Sequence, residues 1–138
     1  MNWVSCKRGK LVKEITVDYE LIASLKKSAE RKFHSARLLT VDHVTADSVI
    51  TLLYDSLREI LEALAIKHGF KIYNHECYTY FLSFILDEKE LAERFDSLRK
   101  VRNAINYYGQ EVPLQDAQTL IQELEQITSS CKSLLKNN

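Results

Sequence analysis

Glycine and proline are scarce: three and one in 138 residues. A β-rich chain of this length turns often, and tight turns draw on both residues for their backbone angles. The scarcity excludes a fold built from many hairpins and favours long helices joined by few loops. Net charge is missing too, because 19 basic residues cancel 19 acidic ones. Bulk electrostatic attraction to nucleic acid or to an anionic membrane is therefore not expected. A local basic site remains open. No apolar run reaches the roughly 20 residues of a membrane-spanning helix. The N-terminus has no apolar stretch suited to a signal peptide. Cysteines are few, odd in number and far apart: Cys6, Cys77 and Cys131. With no CxxC among them, the expectation is unpaired thiols in a reducing cytoplasm. The chain also lacks a glycine-rich phosphate loop, a GxSxG elbow and an HExxH or Cys/His cluster, so neither a cofactor nor a metal is expected.

What is present suits one domain. The chain is 46% hydrophobic and 28% charged, an ordinary globular balance. At this length a domain buries about two-thirds of its unfolded surface and needs no metal or disulfide to hold a core. Residues 1–17 are mixed and read as an extended N-terminal arm, with Trp3 and Val4 placed to tuck against the body. Residues 18–138 read as a single helical domain.

Asp18 is a natural N-cap. Leu21, Ile22, Leu25, Ala29, Phe33 and Ala36 follow at the three-and-four spacing of an amphipathic helix. Lys26, Lys27, Arg31, Lys32 and Arg37 lie on its outer face, where a run of charge ordinarily meets solvent. A second helix is predicted from about Thr45 to His68, with a broad stripe from Val49 to Leu64, and Gly69 is placed for a left-handed stop. A short aromatic helix from about His75 to Leu86 follows Asn74, with Tyr78, Tyr80, Phe81, Phe84 and Ile85 suggesting burial on several sides. Asp87 is placed to cap a fourth helix that ends at Tyr108 before Gly109. Pro113 suits the first position of a last helix, whose inner face runs through Ala117, Leu120, Ile121, Leu124, Ile127, Cys131 and Leu134. The fold class expected is all-α, an antiparallel up-and-down bundle of four to five helices.

One residue breaks the pattern. The seam of the fourth helix reads Leu91, Phe95, Leu98, Arg102 and Ile105. Arg102 stands where an apolar side chain is called for, and buried charge is costly unless paired. An acid, a second copy of the chain or a bound phosphate must face it. Asp55, Glu59 and Glu62 on the second helix are the candidate acids. Arg94, Arg99, Lys100, Asn103, Asn106, Tyr107 and Tyr108 surround Arg102 in sequence. Guanidinium forks bind phosphate and tyrosines stack on bases. The plainer alternative is an internal ion pair, with the other cations serving the C-terminal half of the helix. Of the four histidines, His68 reads as a helix-end residue and His75, next to Glu76, as a helix-start residue.

The segment RNAINYYG, Arg102 to Gly109, resembles the signature of the HEPN family, named for higher eukaryotes and prokaryotes nucleotide-binding. That signature is an arginine, a polar residue, and a histidine four to six positions after the arginine. Arg102 and Asn103 match the first two. The run YDSLREILEALAIKHG followed by NHECYTYFL resembles the family's helical hairpin, with His75 where members often carry a histidine opening the third helix. The resemblance covers most of the chain from about residue 18. It implies a bundle of four or five helices that forms a two-fold dimer. It also implies RNA or nucleotide as ligand, and a nucleotidyltransferase-like partner in a toxin–antitoxin or defence setting. Many members are metal-independent ribonucleases. In them the arginine stabilises the phosphate and the histidine acts in cleavage by the RNA 2′-hydroxyl.

Here the histidine positions hold Asn106, Tyr107 and Tyr108. A tyrosine titrates near pH 10 and is a poor general base at neutral pH. The resemblance then assigns Arg102, Asn103, Tyr107 and Tyr108 as catalytic candidates for a weak ribonuclease. Arg99, Arg102 and Asn106 are the binding candidates, and Asp55 and Glu59 the orienting acids. The balance leans toward binding without strong catalysis. The alternative expectation is a dimerisation or interaction module in which Arg102 is structural.

Overall fold

The computed structural model describes residues 1–109 and 111–137, without the side chains of residues 106–108 and 137. Six α-helices and one small sheet are present among them: α1 (Trp3–Arg8), β1 (Val12–Glu14), α2 (Tyr19–Leu38), α3 (Ala46–Lys67), β2 (Phe70–Ile72), α4 (Glu76–Tyr80), α5 (Lys89–Tyr108) and α6 (Leu114–Asn137). A π-helical turn, Phe81–Ile85, continues α4. The chain is a predominantly helical bundle, as expected, and none of its described helices is long and apolar enough to cross a membrane.

The central element is α3. Leu53, Tyr54, Leu57, Ile60, Leu61, Leu64 and Ile66 are all buried along it, and a helix buried on most of its circumference sits in the middle of a fold. Burial of each such side chain stabilises by roughly 1.5–3 kcal/mol relative to exposure. α2 folds back on α3 through a short connection, and the Ser56 hydroxyl donates to the Ala29 carbonyl at 2.8 Å. At the far end, Lys67 Nζ donates to the Leu135 carbonyl at 2.7 Å, so α3 and α6 end together. They are the second and last of the four long helices, which run alternately up and down.

The helix boundaries have local causes. Asp18 accepts from the Leu21 amide at 3.0 Å, the N-cap predicted. Asp42 accepts from the Val44 and Thr45 amides at 2.8 and 3.0 Å and shapes the entry to α3. Gly69 (φ +85°) and Gly109 (φ +61°) take the left-handed region after α3 and α5, where a side chain would be strained. Asp87 differs from expectation. It sits at φ +54° in the link, and Glu88 stands directly before α5. Phe84 also departs from expectation. Its position on the wide π-turn leaves it 66% exposed.

The N-terminus is not an extended arm. Asn2 and Ser5 form a capping box that starts α1. β1 then pairs antiparallel with β2 in the register Val12–Ile72, Lys13–Lys71 and Glu14–Phe70. Trp3 is buried, with its ring 5.1 Å from Phe70 and 6.1 Å from Phe81, while Val4 is exposed. The reading of three unpaired thiols is corrected as well. Cys6 and Cys77 form a disulfide between α1 and α4 with Cα atoms 6.2 Å apart. Cys131 stays a buried thiol, and burial pushes its pKa up to about 12. With one disulfide and one buried thiol, the cysteines do not point to a reducing compartment. The pairing was hidden because 71 residues separate the two cysteines, and only the docking of α1 brings them together.

Candidate phosphate site between α4 and α5

Two stretches far apart in sequence meet here. Along α3, the thirteen steps from Tyr54 to Lys67 rise about 20 Å at 1.5 Å per residue. After Gly69 the chain returns in extended form at about 3.3 Å per residue. Half a dozen residues therefore carry it back beside Tyr54 and Arg58. The Asn74 side chain then accepts from the Glu76 amide at 2.9 Å and turns the chain into α4. This fixes His75 at the helix start, its ring 6.4 Å from Tyr54 and 6.3 Å from Tyr78.

The other wall is α5. Arg99, Arg102 and Asn103 follow at three and four residues, so they share one face. Together with Tyr73, Asn74, His75 and Glu76 they line a polar cavity of about 320 Å³. The seam residues Leu91, Phe95 and Leu98 are buried as predicted, and Arg102 marks where the seam meets this cavity.

Arg102 is largely enclosed, its side chain 17% exposed. Its guanidinium lies over the Tyr54 ring, 5.2 Å from the centroid, a cation–π contact. Asp55, one of the two orienting acids expected, faces it with an N–O separation of 3.7 Å. Tight charge-assisted bonds are nearer 2.8 Å. Glu59 is not at this site: it is buried and paired with Lys32 of α2. Glu62 pairs with Arg58 and Lys71, at 3.4 and 3.3 Å.

Arg99 is held by Asp96 on its own helix, with its two bonds at 3.1 and 2.9 Å, and lies 3.9 Å from Glu76. Glu76 in turn accepts from the Tyr80 hydroxyl at 3.0 Å. Asp96 also takes Lys100 at 3.2 Å. Burial works against its ionisation, but these hydrogen bonds outweigh it and hold its carboxyl below the usual carboxylate range. Arg94 leaves the group altogether. It forks onto Glu123 of α6 and reaches Gln126 at 3.2 Å. The side chains of Asn106, Tyr107 and Tyr108, three of the residues assigned to the site, lie outside the described residues.

Sequence reasoning missed His75 and Arg58 as members of this neighbourhood. Burial first, then the guanidiniums of Arg58 and Arg102, hold His75 below the ordinary histidine range, with Asp55 opposing. The imidazole is thus neutral near pH 7. Burial also pushes the Tyr54 hydroxyl up to about 12, and it has no hydrogen-bond partner among the described residues. The signal for His75 was available only as the Asn-His-Glu helix start, which carries a structural meaning equally well.

A second cavity of about 310 Å³ lies between α2 and the end of α6, lined by Lys26, Glu30, Ile60, Lys132, Leu135 and Lys136. It gathers no guanidinium and no imidazole. The α4–α5 cavity combines two planar donor forks, two amides and an imidazole, a set suited to a phosphodiester.

No protein-family model matches the chain, and no curated protein sequence matches it either.

Proposed function

We propose that the chain is a HEPN-type nucleotide- or RNA-binding protein that holds a phosphate in the α4–α5 cavity. The observation carrying this reading is the convergence of Arg99, Arg102 and Asn103 on one polar cavity, with Asp55 beside Arg102. A guanidinium presents five donors in a plane. The Arg102–Asp55 and Arg99–Glu76 separations, 3.7 and 3.9 Å, are longer than the contact a guanidinium makes to a phosphate oxygen. The balanced net charge fits a local site better than a broad electrostatic surface. The helical bundle and the RNAINYYG segment support the rest of the reading: a homodimer, with a nucleotidyltransferase-like partner, in a toxin–antitoxin or defence module.

The test is binding of a fluorescent single-stranded RNA, followed by anisotropy against salt. Arg102→Ala should weaken binding about tenfold or more, which corresponds to removing one charge-assisted hydrogen bond worth about 1.4 kcal/mol or above. The slope of log K against log salt should also flatten by about 0.7 for each phosphate that the variant no longer neutralises. Unchanged affinity and slope would remove Arg102 from the site.

A second reading rests on the same residue. Arg102 is mostly enclosed against Tyr54 and Asp55, while Phe84 and Tyr73 are exposed. In that reading the arginine fixes the packing of α3 on α5, and the protein acts as a dimerisation or interaction module.

A further inference from the structure

We propose that the cavity between α2 and the end of α6 is a binding site for a small amphiphilic anion, a carboxylate head on a short apolar chain. The site is separate from the α4–α5 cavity and does not depend on the phosphate reading.

The lining carries the inference. Lys26 and Glu30 lie one turn apart on α2, as do Lys132 and Lys136 on α6, so each pair shares a face of its helix. The two faces meet around a cavity of about 310 Å³, with Ile60 of α3 and Leu135 of α6 completing its walls. Ile60 and Leu135 are almost fully buried, while Lys26 and Lys136 are exposed. The apolar surface is therefore deep and the ammonium groups stand at the rim. Lysine stems extend such an apolar lining while their heads stay in water. A concave, mostly apolar site with a few polar groups at its edge is the usual form of a small-molecule pocket.

Charge selects the ligand. Three ammonium groups meet one carboxylate at this rim. Lys132 Nζ lies 3.4 Å from Glu30 and 5.0 Å from the centroid of the Phe33 ring. Glu30 is 72% exposed, and an ion pair so open to solvent contributes little. Lys26 and Lys136 pair with no carboxylate among the described residues. Further along α2, Lys27, Arg31 and His34 line an adjoining groove that shares Glu30. The patch is thus positive on a chain whose net charge is zero, and an anion complements it. A lysine offers a compact point charge, not the planar fork with which arginine reads a phosphate. Charge at the rim and apolar side chains beneath it suit a single carboxylate with a short tail.

The experiment titrates the full, isotope-labelled chain with octanoate below its micelle concentration, followed by amide and methyl NMR. Octanol and butanoate serve as controls. Octanoate should give saturable shifts centred on Ile60, Lys132 and Leu135, with a Kd of about 1 mM or tighter. Each methylene added between butanoate and octanoate should tighten binding roughly three- to fourfold. Octanol should bind at least about threefold more weakly, and the double variant Lys26→Gln, Lys136→Gln should lose about three- to tenfold for octanoate alone. If that variant loses its native circular dichroism, the octanoate–octanol comparison on the wild type decides. Octanol binding as tightly as octanoate overturns the proposal, because the lysines then select nothing. Octanoate shifts at Arg99 and Arg102 instead of at this cavity also overturn it. So do shifts here with vesicles of anionic lipid but none with octanoate, which would make this face a membrane contact.

Discussion

Arg102 on α5 faces Asp55 on α3 across 3.7 Å, with its guanidinium over the neighbouring Tyr54 ring. At that separation the two charges interact without a tight hydrogen bond, and both side chains retain some exposure. A double-mutant cycle between Arg102→Ala and Asp55→Ala should give a coupling of about 0.5–1 kcal/mol in denaturant unfolding. A coupling above about 2 kcal/mol would mark a closed structural pair and favour the interaction-module reading.

The Cys6–Cys77 disulfide ties α1 to the helix that begins just after His75. Reduction, or Cys6→Ser, should cost about 2–4 kcal/mol, read as a lower melting temperature in dithiothreitol. Thiol titration of the denatured, unreduced chain should find one thiol, Cys131, and after reduction three. Three thiols without reduction would contradict the bond.

The buried carboxylate of Glu59 depends on Lys32. Lys32→Met strands a charge in the interior and should cost about 1–3 kcal/mol, below the roughly 3–5 kcal/mol of a fully buried pair because Lys32 is partly exposed. Lys32→Met with Glu59→Leu should recover most of that loss, because no charge is left unpaired. Equal stability of the single and double variants would contradict this account.

His75 and His68 are both held below the ordinary histidine value, chiefly by burial. The unfolded chain therefore takes up protons first as pH falls. The resulting stability is fully present above about pH 6.5. It is lost as pH falls from there through the lower folded values. The melting temperature should drop between pH 7 and pH 5, and His75→Gln should drop less. The lowered Asp96 value adds a separate loss below about pH 4. A melting temperature that rose between pH 7 and 5 would contradict the histidine assignment.

Sequence periodicity was a good guide wherever one helix face decides burial. It found the long helices, the Asp18 cap and both glycine stops, because these features depend on neighbours in sequence. It identified Arg102 and Asp55 for the same reason: each breaks or borders a regular stripe. It failed where distant segments meet. The arm became a helix and a strand because Trp3, Cys6 and Val12 find partners at Phe70, Cys77 and Ile72. Glu59 read as a partner for Arg102 because Asp55 and Glu59 are four residues apart on one helix, yet α2 supplies Lys32 first. His75 could not be placed beside Arg102 until the return of the chain after Gly69 was known. The Asp87 turn also escaped, since a capping residue and a left-handed link draw on the same side chain.

The most direct test is where a phosphate binds. We would titrate labelled protein with a short single-stranded RNA and follow the backbone amides, the arginine Nε–H groups and the His75 imidazole by NMR. The account predicts saturable shifts concentrated on His75, Arg99, Arg102 and Asn103, with the His75 pKa rising as the phosphate binds. Shifts confined to the lysine-lined cavity between α2 and α6, or none at all with the fold intact, would contradict it.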